Sequence, residues 1–87
     1  MWTVYILQSQ INYSYYVGST SDVNRRIKEH NAGHTPSTKN LIPLTIRFSQ
    51  EYPTLKYARK VESWLKSTHS KVVIEQIILD GKINKKF

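Results

Sequence analysis

The sequence has 87 residues, no cysteine, and 13 Lys and Arg residues against 6 Asp and Glu, a formal net charge of +7 at pH 7. A chain of this length buries only roughly 60% of the surface that its unfolded form exposes, so it predicts one small domain with one shared core. The lack of cysteine excludes a disulfide framework, a thiolate zinc site and a cysteine nucleophile. The surplus of positive charge favours a polyanionic partner, above all nucleic acid.

The two ends of the chain predict no targeting or membrane segment. No apolar run approaches the roughly 20 residues that cross a bilayer, and strand-like sequence begins almost at Met1. We therefore expect no membrane association and a cytoplasmic location. Residues 1–81 are predicted to form the single domain, and residues 82–87 a short basic tail that is solvated and frayed.

The first predicted element is a β-hairpin. Residues 2–7 and 13–17 are rich in β-branched and aromatic side chains, and a polar stretch over residues 8–12 separates them. The small residues at 18–21 are expected to end the second strand.

A helix is predicted next, with Ser21 or Asp22 as its N-cap, an end near Ala32, and Gly33 as the stop. Two prolines and several polar residues then predict a surface loop over residues 33–43, where Lys39 is available to contact phosphate.

The second half of the chain predicts a strand and two helices. Apolar and polar residues alternate over residues 44–52, the pattern of a half-buried third strand. A second helix is expected from the N-cap Thr54 to about Ser67. Residues 71–79 fit a strand or a short buried helix, and we predict a helix that ends near Gly81. The order is β-β-α-β-α-α, an α+β domain.

Ionisable side chains occupy positions where the helical pattern calls for apolar ones. Val23, Arg26, Ile27 and His30 have the spacing of a core-facing stripe on the first helix. Arg26 and His30 are therefore expected beside the apolar contact, near the edge between helix and sheet. Each also has a structural explanation, as a side chain with a buried stem or a hydrogen-bonded histidine.

Glu62 raises the same question on the second helix, because it borders the apolar stripe and a carboxylate there is costly without a partner. An ion pair with Lys66, four residues later, is one explanation. Strand alternation also allows Tyr5 and Tyr16 to share the sheet face that receives the first helix, although a buried tyrosine with a satisfied hydroxyl is common in cores.

Together these residues resemble the GIY-YIG nuclease domain, in particular small members similar to the N-terminal nuclease domain of the bacterial excinuclease C subunit. Thr3-Val4-Tyr5 stands where that family has Gly-Ile-Tyr, and Tyr16-Val17-Gly18 where it has Tyr-Ile-Gly. Residues 25–31 resemble the family's arginine helix, and Glu62 lies in the following helix, as the family's metal-binding glutamate does. The resemblance covers most of the chain and implies a three-stranded antiparallel sheet flanked by helices.

The resemblance implies a metal-dependent endonuclease that hydrolyses DNA, in repair or in the processing of unusual DNA structures. Glu62 would hold one Mg²⁺ or Mn²⁺, and no small-molecule cofactor is expected. Arg26 would contact the scissile phosphate. Tyr5 would be the general base, with His30 bonded to it or assisting, although the two roles can be exchanged. Tyr16 would position water or phosphate.

The sequence also predicts which side chains contact nucleic acid outside the reacting groups: Arg25, Lys28, Lys39, Arg59 and Lys60. Two other functions stay open. One is a non-catalytic DNA- or RNA-binding module that stacks bases on Trp2, Tyr13 and Tyr15. The other is a subunit that docks on an acidic protein. No base-reading element is recognisable, so a protein partner is a possible source of target choice. A structural zinc pair of His30 and His34 is not expected, because Gly33 ends the helix between them.

Overall fold

The computed structural model of the protein describes residues 1–68 and 70–85. In this part of the chain, one sheet of three antiparallel strands is flanked by three α-helices, in the predicted order β-β-α-β-α-α. The elements are β1 (Trp2–Ser9), β2 (Tyr15–Thr20), α1 (Val23–Asn31), β3 (Leu44–Tyr52), α2 (Leu55–Ser67) and α3 (Lys71–Asp80).

The sheet has the order β2-β1-β3, so β1 is its central strand. β1 pairs with β2 in a register that sets Tyr5 opposite Gly18, and with β3 on its other side. Helices cover both faces of β1. This explains why residues 4–7 are buried without a break, where a strand with one exposed face would alternate.

β2 differs from its predicted span. It begins at Tyr15 rather than Tyr13, and it continues through Gly18 to Thr20 instead of ending at the small residues. Tyr13 lies in the hairpin turn with a positive φ of 62° and is exposed. The prediction was wrong because pairing with β1 holds residues 18–20 extended whatever their local preference.

β3 has the predicted bounds but not the predicted single alternation. Ile6 pairs with Phe48 and Leu7 with Ile46, so Arg47 is an extra residue in a β-bulge. The bulge exchanges the two faces of the strand. Phe48 is consequently buried with α2, whereas Ile46, of the same parity, is partly exposed.

The two faces of the sheet carry separate apolar clusters. α1 covers the face of Tyr5 and Leu7, and α2 and α3 cover the face of Val4 and Ile6. All three predicted helices are confirmed, including the choice of helix over strand for α3. Their N-caps are Asp22, Thr54 and Ser70, and Gly81 ends α3 with a φ of 75°.

The segment over residues 33–43 is not simply a surface loop. Thr35 and Thr38 are buried, and a short 3₁₀ turn covers Lys39–Leu41. The Asn31 side chain fixes the end of the segment through two hydrogen bonds with the Leu44 backbone, of 2.7 and 3.1 Å. The prediction was wrong because polar residues usually face solvent, whereas here both threonine side chains are enclosed and the Thr38 hydroxyl has a partner inside the fold.

The end of the described chain packs onto the domain. Ile83 is buried in the larger cluster, and its backbone exchanges hydrogen bonds with the Gln50 side chain at 2.8 and 3.3 Å. The expectation of a solvated end therefore does not hold at Ile83, although Lys82 and Lys85 are exposed. Lys86, also predicted in that tail, lies outside the described residues. The division at residue 81 stays a prediction.

None of the helices over residues 1–68 and 70–85 has both the length and the apolar character that a membrane crossing requires.

Candidate active site

A buried hydrogen-bonded chain crosses from the sheet to α1 and on to the 33–43 segment. The Tyr5 hydroxyl lies 3.2 Å from Nε2 of His30, and Nδ1 of His30 lies 2.8 Å from the Thr38 hydroxyl. Tyr5, His30 and Thr38 are all buried. The prediction that His30 lies at the edge of the helix contact was therefore wrong. The side chain is enclosed, because both of its ring nitrogens have partners inside the protein.

Gly18 makes room for Tyr5. A Cβ atom at Gly18 would lie 2.5 Å from the Tyr5 hydroxyl oxygen and 2.6 Å from Cζ. The two tyrosine triplets are thus in contact, because Gly18, the last residue of the second triplet, packs directly against the ring of Tyr5. A side chain of any size at residue 18 would displace the Tyr5 ring.

Tyr16 and Arg26 complete the group on this face of the sheet. The Tyr16 ring packs edge-on against His30, with 5.1 Å between ring centroids. Arg26 is half-buried and pairs with Glu29 at 3.3 Å, and it lies close enough to Tyr5 to lower the pKa of the phenol against the effect of burial. The structure therefore brings the predicted residues Tyr5, Tyr16, Arg26 and His30 together.

The pKa values of Tyr5 and His30 differ from those of the free side chains. Burial raises the pKa of Tyr5, and the opposing effect of Arg26 is too small to reverse this. The positive charge of Arg26 therefore offsets the effect of burial on the Tyr5 pKa only in part. Burial and the repulsion of Arg26 lower the pKa of His30, so its imidazole is neutral at pH 7.

Glu62 lies on the other side of the edge strand. Its Oε1 accepts a hydrogen bond of 2.6 Å from the Ser19 hydroxyl, and its Oε2 accepts one of 2.7 Å from Nζ of Lys66. The predicted ion pair with Lys66 is thus present. Burial acts to raise the pKa of Glu62, but Lys66, Ser19 and the charge of Arg59 outweigh it, and the carboxyl is ionised at neutral pH.

Successive residues of β2 connect the two halves of the site. Gly18 faces Tyr5 on the α1 side, and Ser19 faces the opposite side, where it binds Glu62. Glu62 is still close enough for its charge to raise the pKa of Tyr5. The candidate site therefore extends around the β2 edge of the sheet.

The residues present fit a hard divalent cation in one respect. Glu62 offers an ionised oxygen ligand, and Mg²⁺ is commonly held by one or two carboxylates with water and substrate phosphate filling the other positions. No group of three or more His, Asp or Glu side chains in the described chain forms a closed metal site. Lys66, whose side chain is about half exposed at 54%, can leave Glu62 without breaking core packing.

The predicted nucleic-acid contacts are all exposed but do not form one face. Arg25 and Lys28 are on α1, and Lys39 is in the short 3₁₀ turn near it. Arg59 and Lys60 are on α2, which covers the opposite face of the sheet. The two basic surfaces have the β2 edge between them, where the candidate site lies.

Two further residues of the site were missed in the sequence. Thr38 was placed in an exposed loop, and Ser19 in a break after the strand. The signal for Ser19 was its position next to Gly18, since strand alternation turns it toward α2.

Of the proposed stacking aromatics, Trp2 packs partly on the core and Tyr13 is exposed. His30 has no nitrogen free for a zinc pair with the exposed His34.

Comparison with known proteins gives a family match and several similar chains. A family model described as the GIY-YIG catalytic domain matches residues 1–75. A UPF0213 protein of Halobacterium salinarum is 34% identical over 67 residues, which cover 76% of this chain and 86% of that protein. A UPF0213 protein of Listeria welshimeri is 38% identical over 68 residues, covering 77% and 74%.

A solved structure is similar over nearly the whole length. The solution NMR structure of a UPF0213 protein from Bacillus halodurans superposes with a TM-score of 0.58 at 33% sequence identity. The match covers 93% of this chain and 87% of that one. The three-stranded sheet with flanking helices is thus shared with a small protein of similar length.

Proposed function

This chain belongs to the GIY-YIG catalytic-domain family, and from that premise we propose that it is a metal-dependent endonuclease that hydrolyses phosphodiester bonds of DNA. One observation carries the proposal. Tyr5 and the neutral His30 share a buried hydrogen bond, Arg26 lies half-buried beside Tyr5, and the ionised carboxylate of Glu62 on α2 is bound to Ser19 of the edge strand β2. Phosphodiester hydrolysis needs these groups: a proton acceptor, a donor to the phosphoryl oxygens and an anchor for a cation.

Arg26 is proposed to bind the scissile phosphate. Its guanidinium is half-buried beside Tyr5 and pairs at 3.3 Å with Glu29, whose side chain is about equally exposed. A planar donor fork suits two phosphoryl oxygens at once, and partial burial strengthens that interaction. Exchange of Glu29 for phosphate would bring the reacting phosphorus next to the Tyr5 hydroxyl.

Tyr5 is proposed as the general base, with His30 assisting it. The Tyr5 pKa is raised by burial in the protein alone, so an isolated phenolate is not available at neutral pH. The neutral imidazole of His30 at 3.2 Å provides a place for the phenol proton. Tyr16, whose ring packs on His30, would position water or phosphate.

GIY-YIG nucleases generally use divalent metal ions, and here we propose Glu62 as the ligand of one Mg²⁺ or Mn²⁺. A cation held there supplies positive charge against the charge that develops on the phosphate. Ser19 fixes one Glu62 oxygen, and Lys66 must release the other. A single carboxylate implies weak metal binding until DNA contributes its own oxygens.

The substrates are proposed to be DNA intermediates of repair, or other unusual structures, in the cytoplasm. The exposed basic residues Arg25, Lys28, Lys39, Arg59 and Lys60 would hold the phosphate backbone. Contacts of this kind carry no sequence information, so target choice would follow DNA shape or a protein partner.

Cleavage assays test this proposal. Supercoiled plasmid and labelled branched and single-stranded oligonucleotides are incubated with the protein and Mg²⁺, Mn²⁺ or EDTA. We expect metal-dependent cutting that falls at least 100-fold in Glu62→Gln. Glu75→Gln makes the same charge change at an exposed position on α3 and should cut like the wild type. Equal activity of both variants, or cutting in EDTA, would refute the role of Glu62.

A second candidate function is a nucleic-acid-binding module without catalysis. The contact of Lys66 with Glu62 favours it, since the proposed metal ligand is already neutralised by a side chain of the same helix. This function predicts no cutting with any metal, and DNA or RNA binding that weakens steeply as salt is raised.

A further inference from the structure

The segment over residues 33–43 inserts one side chain under the candidate site. Thr38 is fully buried, and its hydroxyl contacts Nδ1 of His30 at 2.8 Å, the nitrogen that faces away from Tyr5. The segment holds this position firmly: the Thr38 backbone nitrogen bonds to Thr35 oxygen at 3.1 Å, and the Leu41 nitrogen bonds to Thr38 oxygen at 2.9 Å.

We propose that Thr38 is a positioning residue that fixes the His30 tautomer with its proton on Nδ1, so that Nε2 is a bare acceptor for the Tyr5 proton. The inference rests on the proposed function for its catalytic consequence. The tautomer itself does not depend on that function.

The donor and acceptor in each hydrogen bond from Tyr5 through His30 to Thr38 follow from counting the available protons and lone pairs. The Thr38 hydroxyl has one proton and also contacts the Thr35 carbonyl oxygen at 3.5 Å, which can only accept. If Thr38 donates there, its oxygen accepts the Nδ1 proton of His30. Nε2 then has a lone pair directed at the Tyr5 hydroxyl, and Tyr5 donates to it at 3.2 Å.

The reverse direction leaves a buried donor unpaired. With the proton on Nε2, His30 would donate to the Tyr5 oxygen across the same 3.2 Å contact. The Tyr5 proton would then have no acceptor among these partners, although the residue is almost completely buried. An unpaired buried donor is costly, so the Nδ1 tautomer is favoured.

The consequence is a two-step proton path during hydrolysis. As water oxygen bonds to phosphorus and the bond to the leaving sugar oxygen breaks, the water proton passes to the Tyr5 oxygen. The Tyr5 proton passes to Nε2 of His30, and solvent protonates the leaving oxygen. His30 later returns the proton from Nε2 to the Tyr5 oxygen, and the Tyr5 oxygen releases the proton that it took from water to solvent. Thr38 takes no proton; it keeps Nε2 unprotonated before each cycle.

Nitrogen-15 NMR of the histidine rings tests the tautomer directly. The chain has three histidines, so His34→Gln and His69→Gln assign the His30 signals by exclusion. In the wild type we expect Nδ1 to give a pyrrole-type shift and Nε2 a pyridine-type shift at pH 7. A pyrrole-type Nε2 in the wild type would overturn the proposal, whatever the activity and before any variant is made.

Two substitutions separate positioning from packing. Thr38→Val keeps the shape and removes the acceptor, so it should move the proton toward Nε2 and lower single-turnover cleavage about 10- to 100-fold at unchanged DNA affinity. Thr38→Ser retains the hydroxyl and should keep both the proton on Nδ1 and the wild-type cleavage rate. Thr35→Val is the matched control, since the Thr35 hydroxyl is buried without a hydrogen-bond partner in the described residues. Wild-type ring shifts and rate in Thr38→Val would refute the role of Thr38.

Discussion

Replacing Gly18 by alanine should damage the site through a single methyl group. The added Cβ would lie 2.5 and 2.6 Å from Oη and Cζ of Tyr5, where an ordinary carbon–oxygen contact is roughly 3.3–3.6 Å. The Tyr5 ring must therefore move by about 1 Å. Overpacking of this kind costs about 1–3 kcal/mol of unfolding free energy, and a 1 Å displacement of a reacting group costs roughly 100-fold in rate.

Urea denaturation and single-turnover cleavage measure the two effects. Gly81→Ala is a control for stability alone. Its φ of 75° makes alanine strained by about 1–2 kcal/mol, but nothing lies within 4 Å of the new Cβ, so cleavage should be unaffected.

A double-mutant comparison isolates the clash between the methyl group added in Gly18→Ala and the Tyr5 ring. In Tyr5→Leu the ring is gone, so adding Gly18→Ala should cost less than half of what it costs in the wild type. The reasoning would be refuted if Gly18→Ala left stability within about 0.5 kcal/mol of the wild type and cleavage unchanged.

Three other outcomes follow from the structure. Because the folded-state pKa of His30 is lowered, the unfolded chain binds a proton there first, so stability falls as pH drops below about 6.5. Urea titrations at several pH values should show this fall in His34→Gln and lose most of it in His30→Gln. Tyr52→Phe should raise the unfolding free energy by about 1 kcal/mol, because that hydroxyl is buried and unpaired within the described chain; a loss of similar size would contradict this. Arg59→Ala and Lys60→Ala should each reduce the slope of log affinity for DNA against log salt by about one, and an unchanged slope in both would place the DNA elsewhere.

Much of the fold could be read from the sequence because its signals are local. The structure has the helix ends at the predicted Thr54 and Gly81, and at Asp22, one of the two residues predicted to cap α1. The exchange of faces in β3 could not be read, because the bulge at Arg47 depends on how that strand pairs with β1.

Some residues of the candidate site could likewise be predicted from the sequence, and others could not. Arg26 and His30 stood out as ionisable residues in an apolar stripe, and that anomaly was informative. Thr38 and Ser19 are not anomalous in this way, and the only indication for Ser19 was its position next to Gly18. A threonine in a polar loop and a serine beside a glycine become part of the site only when the loop folds under α1 and the strand turns Ser19 toward Glu62.

The most direct test of the central claim compares two neighbouring arginines. Arg26 is half-buried beside Tyr5, and Arg25 is exposed on the same helix, so each alanine variant removes one positive charge from the same region. Single-turnover cleavage of labelled DNA with Mg²⁺ at saturating protein is measured for both. The account predicts a loss of about 100- to 1,000-fold in Arg26→Ala and a change of only a few fold in Arg25→Ala. Equal rates for the two variants would contradict a catalytic site at this edge of the sheet.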